Sequence, residues 1–278
     1  AAWDEAVGYL VICSCGMVFI YGYNALCAIL RGMGESKLPM LFIAVASLVN
    51  VVLDLLFVAV LGYGVGAAAL ATTIAQSLSA ILAFRRRTRP GTEYQVCWRQ
   101  VRPDGPMLKQ ILAIGLPSGV QNSIISLANV IVQSNINQFG PHAMAGCGVY
   151  FKIEGFGFLP ITCFAMALST FVSQNLGAGK PDRVRKGSIY GTLCSVGIAE
   201  LVGVAVCAGA PWLMAAFNRE ADVIAYGAQQ AHIETLFWCL LGLSHCSAGI
   251  LRGAGKAKVS MVIMLLCWCL IRITYITI

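Results

Sequence analysis

The chain of 278 residues is 58% apolar and only 11% charged, with a formal net charge of +7 and a mean hydropathy of +0.78. Soluble domains carry roughly 25% charged residues, and no soluble core of this size hides so much apolar surface. A soluble enzyme or binding domain is therefore excluded, and the basic excess reads as a sign of membrane topology rather than of nucleic-acid binding.

A helix that crosses about 30 Å of hydrocarbon needs about 20 mostly apolar residues. Eight stretches qualify: 8–30, 38–60, 65–84, 107–139, 143–176, 188–211, 224–250 and 259–278. Turn residues such as Gly62-Tyr63-Gly64 and Gly140-Pro141 separate them. The fourth and fifth are long enough to tilt or kink, with Pro117 and Pro160 as kink points. A start at Ala1 rather than methionine, no leader, and an end at Ile278 inside an apolar run are expected of a segment of a longer protein.

Basic residues fall in alternate connections: Arg31 and Lys37; Arg85, Arg86, Arg87, Arg89, Arg99, Arg102 and Lys109; Lys180, Arg183, Arg185 and Lys186; Arg252, Lys256 and Lys258. The intervening connections hold only Arg219, beside Glu220 and Asp222. The positive-inside rule places the basic connections in the cytoplasm of a multi-pass inner-membrane protein embedded in the lipid bilayer.

The segment Ile29-Leu30-Arg31-Gly32-Met33-Gly34 returns as Ile250-Leu251-Arg252-Gly253-Ala254-Gly255. Six spans lie between the copies, and an even number returns the chain in the same sense, so the repeat is parallel about an axis along the membrane normal. The predicted fold is all-α: a two-lobed bundle of transmembrane helices holding about eight of the roughly twelve spans of an intact two-half protein. Residues 1–84 form part of the first lobe with three helices, 85–106 a cytoplasmic linker, and 107–278 a second lobe with five helices, the last truncated.

Charged groups at membrane depth cost at least ~2.5 kcal/mol each, so those present face a partner or a wet cavity. In the second span, Asn50 and Asp54 share a helix face and are candidates for a coupling ion; a structural hydrogen bond is the bland alternative. In the fourth, Asn122, Ser126, Asn129, Gln133 and Asn137 form a polar stripe that lipid cannot satisfy. In the fifth, Lys152 and Glu154 point to different faces; Lys152 reads as a structural ion pair and Glu154 as an ion-coupling carboxylate. In the seventh, Glu234, Trp238 and His245 fall on one stripe, able to hold an organic cation by charge and cation–π attraction; ordinary core packing is the alternative for each. Tyr21 and Asn24 in the first span join Asn122, Ser126, Asn129, Gln133, Trp238 and His245 as substrate-cleft candidates, and Glu200 is assigned to a helix contact.

Other signals carry less. The 12 cysteines are dispersed along the spans, apart from Cys97 in the linker, and read as small packing residues rather than metal ligands. Gly177-Ala178-Gly179-Lys180 has no phosphate-loop spacing and reads as a helix end. Gly115/Gly119 and Gly187/Gly191 have the spacing of close helix contacts. No nucleophile, base and orienting group occur together as an enzyme would need, no cofactor is expected beyond the transported proton or sodium ion, and no pattern sets an oligomeric state.

Four segments together resemble the multidrug and toxic compound extrusion (MATE) family: Leu30-Arg31-Gly32-x-Gly34-x-x-Lys37-x-Pro39, Asn50-Val51-Val52-Leu53-Asp54, Gly64 to Thr72, and Ser169 to Lys180. On that resemblance Arg31, Gly32, Gly34, Gln174, Gly177, Gly179, Arg252, Gly253 and Gly255 are family-motif positions, and the chain covers about the fourth to eleventh helices. The resemblance implies export of amphiphilic organic cations in exchange for protons or sodium ions. Its carboxylates on the seventh and tenth helices are matched here by amides on the seventh and by acids on the eighth and tenth. The competing functions are a flippase for lipid-linked sugars, which needs intramembrane cations for pyrophosphate and finds Lys152 and Arg272, and a non-transporting receptor or scaffold.

Overall fold

In a computed structural model that describes residues 2–88 and 102–277, ten α-helical segments build eight helices long and apolar enough to cross a membrane. They are α1 (Ala2–Gly32), α2 (Lys37–Asp54), α3 (Val65–Thr88), α4 (Gly105–Ile136), α5 (Pro141–Gly177), α6 (Pro181–Ala215), α7 (Ala221–Glu234), α8 (Trp238–Gly253), α9 (Ala257–Leu265) and α10 (Arg272–Thr277). Four non-α segments belong to these spans among the described residues; one, the 3-10 turn Asn137–Phe139, ends the span of α4. A π-helical segment, Leu55–Val60, extends α2; another, Leu266–Ile271, joins α9 to α10; and a 3-10 turn, Thr235–Phe237, separates α7 from α8.

The chain divides into two compact units, Ala1–Pro103 and Asp104–Ile278. In the first, α1 and α2 pack on α3. Tyr23, Cys27 and Leu30 of α1 meet Phe42 of α2 and Ala83 of α3 in its core. Gly16 lets the Thr73 side chain of α3 lie against the α1 backbone, and the Tyr23 hydroxyl donates to the Pro39 carbonyl at 3.0 Å.

In the second unit α5 is the central element, contacting α6, α7 and α8. Lipid is as apolar as leucine, so helices in a membrane are held by close van der Waals approach rather than by apolar burial. Small residues supply that approach. A Cβ at Gly249 or Gly253 would overlap the carbonyl oxygens of Ala165 and Ser169, and one at Gly146 would crowd the Val223 carbonyl. Gly187 and Gly191 seat the Phe171 and Leu168 side chains, whereas Gly115 and Gly119 face open space. The small-residue spacing therefore marks a helix contact in α6 and none in α4.

Both Arg-Gly copies end their helices in the same way. Gly34 (φ +87°) and Gly255 (φ +76°) take the left-handed conformation; Gly34 N–H bonds the Arg31 carbonyl and Glu35 N–H the Leu30 carbonyl, as Gly255 bonds Arg252 and Lys256 bonds Leu251. This pair of bonds satisfies carbonyls that the helix end would leave open. Gly179 closes α5 identically, with Lys180 N–H on the Asn175 carbonyl.

The basic residues expected in loops lie largely on helix ends. Arg85 and Arg86 belong to α3, which runs on to Thr88, and Arg183, Arg185 and Lys186 open α6. The linker expected over 85–106 is shorter for the same reason: Asp104 caps α4 by accepting from Met107 N–H at 2.8 Å, and Pro106 sits in its first turn. Arg89, Arg99 and Cys97 lie outside the described residues. Both α4 and α5 continue through Pro117 and Pro160.

Candidate functional site

The second unit contains a cavity of about 810 Å³, walled by α4, α5, α8, α9, α10 and the π-helical segment between the last two. Asn122, Asn129 and Gln133 of the α4 stripe line it, opposite Glu154 of α5 and His245 of α8. Steps of seven and four residues keep the three amides on one face of α4, which is why the stripe reaches one wall. Ser126 lies outside the lining, and Asn137 is engaged by Gln133 Nε2 at 3.0 Å.

Part of the wall lies beyond the cleft candidates named from the sequence, where Arg272 reads only as an intramembrane cation. Arg272 enters the cavity from α10, with Nη1 donating to Asn129 Oδ1 at 3.0 Å and its guanidinium 5.9 Å from the Trp268 ring centre. His245 stands edge-on to Phe158 at 4.9 Å and to Trp268 at 6.2 Å. Arg252, the motif arginine, also lines the cavity, and no hydrogen bond or ion pair of its side chain occurs among the described residues. Arg272 and Trp268, four residues apart in an apolar span, were the available signal.

The Glu234, Trp238 and His245 stripe divides three ways. The 3-10 turn Thr235–Phe237 breaks the helical register between Glu234 and Trp238. Glu234 accepts from Gln230 Nε2 at 2.9 Å and lies outside the lining. Trp238 is 3% exposed and fills the space left by Gly157, in the core with Tyr150, Ile153 and Ile161. Of the three, only His245 reaches the cavity.

In the first unit, Asn50 Nδ2 lies 3.4 Å from Thr72 Oγ1, tying α2 to α3, while the buried Oδ1 of Asp54 has no hydrogen-bond partner among the described residues. Tyr21 is 71% exposed, and Asn24 bonds back within its own helix by donating to the Ile20 carbonyl. Lys152 is exposed, with its ammonium 5.7 Å from the Phe217 ring centre, so it snorkels along an aromatic face in place of the expected ion pair. Glu200 keeps a buried Oε2 without a partner among the described residues. A Cβ added at the motif residue Gly32 would meet no atom within 4 Å, whereas one at Gly253 would overlap Ser169. The described cysteines are free, and among the described residues no group of His, Cys, Asp and Glu side chains is arranged to hold a metal ion.

Eight long apolar helices, with a polar, charge-lined cavity in the second unit, define a multi-pass α-helical membrane protein. The MatE family model matches residues 2–56 and 117–278, and the chain belongs to that family. Among curated relatives it is 27% identical over 270 residues to the probable multidrug resistance protein YpnP of Bacillus subtilis, covering 95% of this chain and 59% of that protein. It is 24% identical over 257 residues to the probable multidrug resistance protein YoeA of the same organism, covering 90% and 56%. The chain thus spans somewhat more than half the length of these relatives. A multidrug resistance MATE family transporter of the MOP superfamily, solved in an outward-facing conformation, superposes with a TM-score of 0.91 at 23% identity over 99% of this chain and 62% of that one. That likeness shows the fold.

Proposed function

We propose that the chain is part of a secondary active exporter of amphiphilic small molecules, which exchanges its cargo for protons or sodium ions by alternating access. The observation that carries this reading is the half-buried carboxylate of Glu154 on the wall of a ligand-sized cavity inside a membrane-spanning unit. Carboxylates are retained at such depth where they exchange ions or meet a partner, and ligand cavities of about 300–1,000 Å³ take drug-sized molecules. Family membership and the names of its multidrug-resistance relatives support export over a receptor or scaffold role. Asp54 and Glu234 are the further ion-coupling candidates, and the basic helix ends are assigned to the cytoplasmic side.

The amphiphilic organic cation implied by the family resemblance has Glu154 as its partner here. Arg252 and Arg272 oppose it: two like charges ~6 Å apart at an effective dielectric of ~20 repel by about 3 kcal/mol. Those same arginines favour a second reading, a flippase whose cargo carries phosphate.

The test is dye uptake into everted proteoliposomes with sodium and pH gradients imposed separately. One of the two gradients drives uptake in the wild type, and Glu154→Gln abolishes the driven component. Equal driven uptake by wild type and Glu154→Gln removes Glu154 from the mechanism.

A further inference from the structure

We infer that the cavity of the second unit binds an anionic amphiphile, whose carboxylate, sulfonate or phosphate is held at Arg272 while its apolar body lies on Phe151, Phe158 and Trp268. The inference deepens the proposed transport function by setting the sign of the cargo.

Charge decides the sign. Arg252 and Arg272 line the cavity and are always protonated, while Glu154 is the one acid on its wall among the described residues. With Glu154 ionised and His245 neutral, the lining still carries an excess positive charge. No ion pair within 4 Å joins Glu154 to either arginine among the described residues. Neither arginine is therefore held in a contact ion pair, although Glu154 attracts Arg272 from within the same wall.

Geometry decides the position. A guanidinium carries five N–H donors, and Asn129 takes one of those on Arg272. The remaining donors are held in one orientation by the Asn129 bond and by the Trp268 ring. A fork fixed on two sides suits the planar or tetrahedral oxygens of an anion. The aromatic wall points the same way. An organic cation finds the Trp268 face already carrying the Arg272 guanidinium and is left with the rings of Phe151 and Phe158. An anion meets no such competitor.

The test compares two hydrophobic ions of nearly the same shape and opposite sign, tetraphenylborate and tetraphenylphosphonium, titrated calorimetrically into the protein in a nonionic detergent against detergent blanks. The borate binds at least tenfold more tightly than the phosphonium. Arg272→Gln lowers borate affinity about tenfold, Arg272→Lys retains most of it, and Glu154→Gln raises it severalfold by removing the opposing charge. Size-exclusion profiles of the variants establish that each is folded. Tighter phosphonium binding that is lost in Glu154→Gln overturns the proposal, as does a borate affinity indifferent to Arg272→Gln in a folded variant.

Competition identifies the source of the anion. Displacement of the borate by phosphatidylglycerol in mixed micelles assigns the site to a lipid headgroup, and displacement by naphthoate alone assigns it to a soluble cargo. Displacement by neither overturns the proposal. Binding is read without a gradient: anion binding with no driven transport contradicts the exporter and spares the site, whereas driven transport of the phosphonium alone does the reverse.

Discussion

Arg272 and Asn129, 143 residues apart in the chain, are joined by a hydrogen bond of 3.0 Å from Nη1 to Oδ1 across the cavity of the second unit. The bond ties the helix that follows the second Arg-Gly turn to the amide stripe of α4. It joins that stripe to the guanidinium of an otherwise apolar span in one polar wall.

Asn129→Asp tests what the bond does. A carboxylate there forms an ion pair with Arg272 and takes its charge out of the cavity, so affinity for tetraphenylborate falls about tenfold, as expected when about 1.4 kcal/mol of charge attraction is lost. Asn129→Ala leaves the charge and removes only the orienting bond, and its loss is smaller, about two- to threefold. Calorimetric titration of the two variants checks the order; an equal effect of both would mean that the charge of Arg272 does not act in the cavity.

Glu234 and Glu154 part company in the same assay. Glu234 lies outside the lining and accepts from Gln230, so Glu234→Gln leaves borate affinity within about twofold of wild type. A change of tenfold would put Glu234 on the cargo wall.

The two copies of the Arg-Gly turn carry unequal loads. Gly253→Ala drives a methyl group into the backbone of Ser169 and costs about 1–3 kcal/mol, whereas Gly32→Ala meets nothing and is neutral or gains up to about 1 kcal/mol from helix propensity. Thermal unfolding of both variants in detergent measures the contrast. Equal melting temperatures would contradict the contact between α5 and α8.

Gly157 leaves room for the Trp238 indole in the core of α5, α6 and α8. Gly157→Ala overlaps the ring and lowers stability by about 1–3 kcal/mol, and the double variant Gly157→Ala with Trp238→Phe recovers part of the loss. A double-mutant cycle with no coupling would mean that the indole does not occupy this place.

The spans were legible in the sequence because each is a long apolar run closed by glycine, proline or charge, and Gly34, Gly179 and Gly255, three of the five positive-φ glycines among the described residues, sit where such ends fall. The amide stripe was legible too, since polar side chains repeating at helical spacing in an apolar span must leave the lipid. Legibility failed where another helix decides the outcome. Nothing in Thr235-Leu236-Phe237 marks a 3-10 turn, so Glu234, Trp238 and His245 read as one face that the folded chain divides. Trp238 turned to the core because Gly157, some 80 residues earlier, leaves a ring-sized gap there. Arg252 read as a turn residue because its motif does end a helix, and only the fold shows that its side chain also lines a cavity.

The central claim is that the wall formed by Asn122, Asn129 and Gln133 faces water within the membrane. Single cysteines at these positions, exposed to a membrane-impermeant thiosulfonate in proteoliposomes and read peptide by peptide by mass spectrometry, measure it directly. The account predicts modification at all three, slowed by tetraphenylborate, and none at Leu127, an apolar residue 62% exposed on the side of the same helix turned away from the stripe. Modification at Leu127 with none at the three stripe positions would contradict it.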